Sequence, residues 1–298
     1  MPGGVIEDVD GTGAVGAVPD EDQRAAIAHD GRFLRVLGAP GSGRTTVAVE
    51  LLLARIATGR VAADRAVLLA PTRRGAGTLR DELTARLRGA TRQPLARTVQ
   101  SLAFGLLREG AAVDGAPAPR LLSGPEQEAV VAELLAGHAA EGTGPRWPSS
   151  LGDATRTRAF RRELRDLLMR AVEHDVEPAA LAELGRVHGR PEWVAGAAML
   201  AEYDEVTALS APGALDPAWV VGRLLDAIEE DPAAADRAAA AVGLVVVDDA
   251  QELTPPGWRL VRTLGRLGAE VVLVGDPDAA VQGFRGAEPE GLLEPWPG

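Results

Sequence analysis

Residues 38–45, "GAPGSGRT", have the composition of a phosphate cradle. Gly38, Gly41 and Gly43 leave the backbone free to turn successive N–H groups toward an anion. Ala39, Pro40, Ser42 and Thr46 would line the same loop, and the following helix would add its positive N-terminus. The Thr45 hydroxyl is of the kind that ligates magnesium. The stretch fits G-x-x-x-x-G-K-S/T at every fixed position except lysine, where Arg44 stands. Arginine still neutralises phosphate, but its planar fork is larger than an ammonium and is not a compact point charge. Binding is therefore expected to survive the change better than turnover. The alternative is a Gly-rich left-handed turn that joins a strand to a helix without a ligand.

A second stretch, "LVVVDDAQEL" at 244–253, is an apolar run that ends in two carboxylates. At the C-terminal end of a strand, Asp248 would hold magnesium through water, and Asp249 would orient or deprotonate an attacking water. Two acids after a strand also suit a helix N-cap. Beside the glycine loop the nucleotide reading is favoured. It makes Asp249, Asp248 and Arg44 the catalytic set, with Thr45 and Asp248 on the metal.

These residues need a strand before each loop, and the sequence supplies them. "RFLRVL" (32–37) precedes the glycines, and "TTVAVELLLARIAT" follows as a helix that Gly59 would stop. "AVLLA" (66–70), "GLVVV" (243–247) and "EVVLV" (270–274) are continuous apolar runs, as expected of parallel strands covered on both faces; "LARTV" (95–99) is weaker. Between the two groups of strands the pattern is helical. Ser123 with Glu126 makes a capping box, and residues 157–174 and 191–209 keep helical spacing. The fold class is thus α/β, with a parallel sheet interrupted by an inserted all-helical block. Ala/Pro/Gly-rich joints near 110–119 and 211–217 read as linkers, and residues 1–18 read as a disordered leader.

Composition narrows the function classes. The 31 basic and 43 acidic residues give a net charge of -12, which argues against a protein that coats nucleic acid, although a local groove of arginines can still hold phosphates. All 31 basic residues are arginine. The absence of cysteine excludes disulfides, Cys-ligated zinc and iron–sulfur clusters. No stretch approaches a membrane span or a secretory signal, so a cytoplasmic location without membrane partners is expected. Six arginines against Glu163 and Asp166 over residues 156–170 read equally as a DNA-facing surface or as a solvated, ion-paired face. The four histidines, His29, His138, His174 and His188, show no ligand or nucleophile spacing.

In their order, these stretches resemble the UvrD/Rep-like superfamily 1 DNA helicases, more narrowly the actinobacterial helicase–nuclease subunits of double-strand-break resection. From about residue 19 onward, "DEDQRAAI" looks like the Q motif, "GAPGSGRT" like motif I and "LLAPTRRGAGTLRDEL" like motif Ia. "ARTVQSLAFGLLR" resembles the "TFHSLA"-type segment, "VVVDDAQELT" motif II, and "LVGDPDAAVQGFRGA" motif III. The resemblance implies a RecA-like ATPase domain in two parts, 19–108 and 241–298, around a helical subdomain at 109–240. It implies ATP and Mg2+ as cofactors, with Gln23 reading the adenine edge and Gln251 also at the nucleotide. It puts Thr72, Arg73, Arg74, Thr98 and Gln100 at the DNA backbone, and Phe284 and Arg285 at base stacking and the link to the nucleotide. On the residues alone, Arg73 and Arg74 also read as an exposed loop pair, and Phe284 as core. Single-stranded and duplex-junction DNA are the implied partners, together with a second helicase–nuclease subunit. Phosphate-facing cations plus aromatic faces are what sequence-tolerant strand binding needs.

The sequence departs from the family pattern at four sites. Arg44 replaces lysine, Asp249 replaces a glutamate one methylene longer, Ala279 replaces the motif III glutamine that senses nucleotide, and Gln100 replaces a histidine. Loss of one positioned catalytic group costs about 100- to 10,000-fold. The expectation is therefore a helicase motor domain with weakened or lost hydrolysis, or else a non-catalytic nucleotide- and DNA-binding subunit beside an active partner. The resemblance also implies a second motor domain, which these 298 residues do not contain, so the sequence is expected to be part of a longer protein or to depend on a partner.

Overall fold

The computed structural model describes residues 18–87, 91, 93–210 and 213–296; the expected leader lies outside them except for Val18. The chain opens on α1 (Glu21–Ala28), β1 (Phe33–Leu37), α2 (Arg44–Ala57), β2 (Ala66–Leu69), α3 (Arg73–Arg86), β3 (Ala96–Arg97) and α4 (Val99–Val113). A mainly helical stretch follows: β4 (Arg120–Leu121), α5 (Gly124–Glu141), α6 (Arg158–Glu173), α7 (Pro178–Val187), α8 (Pro191–Ser210), β5 (Ala214–Leu215) and α9 (Val220–Glu230). The last elements are α10 (Pro232–Ala241), β6 (Leu244–Val247), α11 (Pro255–Arg266) and β7 (Glu270–Gly275). Two compact units result, one running to Leu106 and resuming at Leu224, the other spanning Leu107–Arg223.

The first unit is α/β. Its five strands lie in the order β1-β7-β6-β2-β3, every neighbouring pair parallel. β2, β6 and β7 are buried along their whole length, which explains their unbroken apolar sequences. Val49, Leu52 and Leu53 of α2 and Leu79 and Leu83 of α3 pack in one core with Leu68, Val246 and Val272 of the strands. The buried side chains of α11 include Trp258, Leu260, Val261 and Leu264, and the Trp258 indole N–H donates to the Glu288 carbonyl at 2.9 Å. Because all five strands point the same way, the loops that leave their C-terminal ends share one edge of the sheet. In such sheets that edge is where ligands bind.

A buried ion pair ties β7 to α2. Arg55 and Glu270 are 5% and 8% exposed, and Arg55 Nε donates to Glu270 Oε1 at 2.9 Å. Arg55 also donates to the carbonyls of Ile27 and His29, which close α1, and Arg60 pairs with the other Glu270 oxygen at 2.8 Å.

The predicted strands all form, with two adjustments at their margins. β3 is only two residues long, because Thr98 leaves the sheet to cap α4: its hydroxyl accepts the Ser101 N–H at 3.2 Å. The linker expected from residue 110 starts later, since Ala-rich residues carry α4 to Val113 before Gly115, at φ 67°, turns the chain. In the second expected linker, residues 211 and 212 lie outside the described residues, and β5 just beyond pairs in parallel with β4.

In the second unit, Val131, Leu164, Leu168, Met199, Leu200 and Tyr203 form the core. The Ser123–Glu126 capping box is present, and its hydrogen bonds together with Arg120 pull the Glu126 carboxyl down to about 2. Asp216, 4% exposed, accepts from Gln127 Nε2 at 2.7 Å and the Tyr203 hydroxyl at 2.9 Å. Of the arginines in the 156–170 stretch, Arg162 and Arg165 pair with the adjacent Glu163 and Asp166, while Arg158 and Arg170 pair with Glu128 and Glu173.

Candidate nucleotide and DNA site

The glycine loop runs from the end of β1 to the start of α2. Gly41 and Gly43 adopt φ 83° and 81°, in the left-handed region that glycine enters without strain. A Cβ on Gly38 would lie 2.5 Å from Ser42 Oγ, and one on Gly43 would lie 2.7 Å from Gln23 Nε2. α2 begins without a side-chain cap, so its first N–H groups have no side-chain acceptor. Ala39, Pro40, Gly41, Ser42, Thr45 and Thr46 are exposed around that mouth. Gln23 braces the loop: Nε2 donates to the Ser42 carbonyl at 2.9 Å, and Oε1 accepts the Asp20 N–H in the capping box of α1.

Arg44 folds back over this loop. Its Nη1 donates to the Gly38 carbonyl at 2.5 Å and lies 3.5 Å from Asp276 Oδ2, while Nη2 lies 3.4 Å from Asp249 Oδ1. The side chain is 13% exposed. Asp249 itself sits at φ 48°, ψ 51°, a strained conformation for a residue with a Cβ, of order 1–3 kcal/mol. Its Oδ1 also accepts from Gln251 Nε2 at 3.1 Å. Gln251 is 2% exposed and its Oε1 accepts the Asp276 N–H at 3.0 Å, so its amide bridges the ends of β6 and β7.

Asp248 is 5% exposed at the end of β6. Its Oδ2 accepts from the Thr45 hydroxyl at 2.9 Å, and its Oδ1 is buried without a hydrogen-bond partner. Burial, and then the neighbouring Asp249 charge, push its carboxyl up to about 6. An orphaned carboxylate oxygen beside a threonine hydroxyl is a hard-oxygen pair that suits magnesium, which commonly takes one or two carboxylates and completes its shell with water and phosphate. Among the described residues no cluster of three or more His, Asp or Glu side chains forms a self-sufficient metal site. The Asp248 carboxylate and the Thr45 hydroxyl fit an ion that draws the rest of its ligands from elsewhere.

The residues expected at DNA leave the same edge of the sheet. Thr72 caps α3 through its hydroxyl, which accepts the Gly75 N–H at 3.0 Å. Arg73 and Arg74 are exposed in the first turn of that helix, and neither pairs with a carboxylate among the described residues. Gln100 is exposed, whereas Thr98 is 8% exposed and engaged in its cap. After β7, Phe284 is 67% exposed in the turn Gly283–Arg285, with the Arg285 guanidinium 5.6 Å from its ring centre. Ala279 lies in the preceding turn, Pro277–Ala279.

Two residues of this edge carried no assigned role in the sequence. Asp276 pairs with Arg44, and Glu252 accepts the backbone N–H groups of Val281 and Gln282 at 2.8 and 2.9 Å. Their signal was present, an acid directly after a strand and an acid in the turn after two catalytic-type aspartates, but their partners are distant in the chain.

No helix among the described residues is long and apolar enough to cross a membrane. No curated protein matches the chain. The family model of the UvrD/REP helicase N-terminal domain matches residues 20–295, which include the whole of this edge and both units of the fold. The chain therefore belongs to the UvrD/REP helicase family, as the N-terminal domain of a DNA helicase motor.

Proposed function

We propose that this motor domain binds Mg-ATP and single-stranded or junction DNA in a helicase–nuclease that acts in recombination and double-strand-break repair, and that its hydrolysis is weakened or lost. The repair setting, and a second helicase–nuclease subunit as partner, rest on the motif resemblance, as does a cytoplasmic location.

One observation carries the reading of weak hydrolysis: the carboxylate of Asp249 is engaged by Arg44 and Gln251. Magnesium, when bound, would supply charge neutralisation to the phosphates, held by Thr45 and Asp248. The chain's own residues do the rest. The N–H groups of Gly41, Gly43, Arg44 and Thr45 would face the phosphates, the Ser42 N–H being held by the Ala39 carbonyl at 3.1 Å; Arg44 would add positive charge, and Asp249 would hold the water for attack. A water can be held there only if Asp249 is released from the guanidinium, and the side chain is one methylene short of the family's glutamate. The same observation supports the second reading, a non-catalytic nucleotide- and DNA-binding subunit, and Ala279 adds to it by removing the nucleotide-sensing side chain.

DNA binding is supported by Arg73 and Arg74. Two cations in the first turn of a helix oppose its dipole, and a phosphate partner would offset that cost. The test is equilibrium binding of a fluorescent ATP analogue with magnesium and, separately, of an oligothymidine. Saturable binding of both, with nucleotide binding lost in Asp248→Ala, is expected; failure of the protein to bind either ligand would refute the proposal.

A further inference from the structure

Two neighbouring side chains fasten the turn after β6 to the loop after β7. Gln251 holds the near end, joining Asp249 Oδ1 at 3.1 Å to the Asp276 N–H at 3.0 Å. Glu252 holds the far end, its two oxygens accepting the N–H groups of Val281 at 2.8 Å and Gln282 at 2.9 Å. A carboxylate that receives two backbone N–H groups is a charge-assisted clasp, stronger than a pair of neutral hydrogen bonds.

What the clasp holds has little burial of its own. Val281 is 75% exposed and Phe284 67% exposed, so neither of these side chains is buried in the core. What the clasp is built on is firm. Ala250, Gln251 and Leu253 are 0%, 2% and 6% exposed, so the short helix Ala250–Glu252 is anchored in the core directly after Asp249. A shift of Asp249 would carry Glu252 with it, and Glu252 would carry the backbone that leads into Phe284 and Arg285. Ala279, inside the same loop, has no side-chain donor or acceptor to provide a parallel link.

Resting on the nucleotide- and DNA-binding reading above, we propose that Glu252 is a positioning residue that couples the Asp249 turn to the Phe284–Arg285 segment. Through it, the state of the nucleotide site sets the placement of the exposed ring and guanidinium, and strand binding acts back on the nucleotide site by the same path. Coupling of this kind is reciprocal and amounts to about 5- to 150-fold in affinity.

The experiment uses the full-length protein and measures four affinities: a non-hydrolysable ATP analogue with and without saturating oligothymidine, and the oligothymidine with and without the analogue. Wild type should show the same factor, about fivefold or more, in both directions. Glu252→Ala should bind the analogue alone within about twofold of wild type while the coupling factor falls toward one. A merely structural role would weaken binding and leave the factor intact, which would overturn the proposal. Glu252→Gln retains one acceptor oxygen and should show an intermediate factor; full coupling in that variant also overturns it, and this variant decides the matter if the alanine variant does not fold. A wild-type factor of one, with both ligands bound, overturns the coupling role and leaves the binding reading standing. Wild type that binds neither ligand overturns both.

Discussion

The guanidinium of Arg44 stands 3.4 Å from the carboxylate of Asp249 and 3.5 Å from that of Asp276. The cation proposed for phosphate is thus paired with two acids that follow neighbouring strands. Nucleotide must displace these contacts before Arg44 can serve it. Asp276→Asn removes one competitor, and the Oδ1 that accepts the Asp278 N–H is retained in asparagine. This variant should bind ATP analogue roughly five- to tenfold more tightly, on the order of 1 kcal/mol for one partly buried ion pair. Titration by fluorescence anisotropy checks it, and unchanged or weaker affinity would show that Asp276 does not restrain Arg44.

Asp248 makes the metal-free protein sensitive to pH. Its carboxyl titrates near 6 when folded, against an ordinary value of 3.8. Between those values the folded state holds a proton that the unfolded state has lost, so stability rises as pH falls through 6. Above pH 6 the buried charge is a penalty of up to about 3 kcal/mol. With chelator present, Asp248→Asn should melt higher than wild type at pH 7, and the gap should narrow below pH 6 and close near pH 4. A gap that does not change with pH would contradict the burial of this charge.

How much of this was legible in advance differs by level. The strands were legible, because β2, β6 and β7 are covered on both faces and must be apolar throughout. The capping box of α5 was equally local, with partners three residues apart. Arg44 was visible as a departure, but not its consequence: its partners Asp249 and Asp276 follow different strands, and only the adjacency of β1, β7 and β6 brings them together. Gln23 shows a related limit. The glutamine expected at adenine has its amide N–H engaged by the Ser42 carbonyl, 19 residues away, a contact that a motif does not encode. Thr98, expected at DNA, has its hydroxyl turned to a local cap, the Ser101 N–H three residues on.

Arg73 and Arg74 offer a test of strand binding that leaves the core untouched. Replacing both with alanine should reduce oligothymidine affinity and lower the slope of log affinity against log salt by about 1.4, or ~0.7 per lost phosphate contact. Stability should hold or rise slightly, since cations in the first turn of α3 oppose the helix dipole. An unchanged slope would remove these residues from the DNA surface.

Glu270 should matter for the fold. Glu270→Ala leaves Arg55 buried without its carboxylate and is expected to cost about 3–5 kcal/mol in denaturant unfolding. A loss below about 1 kcal/mol would show that Arg55 is held well enough by the Ile27 and His29 carbonyls alone.

The most direct test of the central claim, that Arg44 and Asp249 together leave a nucleotide site with little turnover, is phosphate release. It would be measured from Mg-ATP by the full-length protein, with and without single-stranded DNA, beside Asp248→Ala as the blank and Arg44→Lys as the restored form. The account predicts wild-type release close to the blank while nucleotide still binds, and a rise of at least about tenfold in Arg44→Lys, short of the ~100- to 10,000-fold a fully positioned base supplies. DNA-stimulated release by wild type well above the blank, with no gain from lysine, would contradict it.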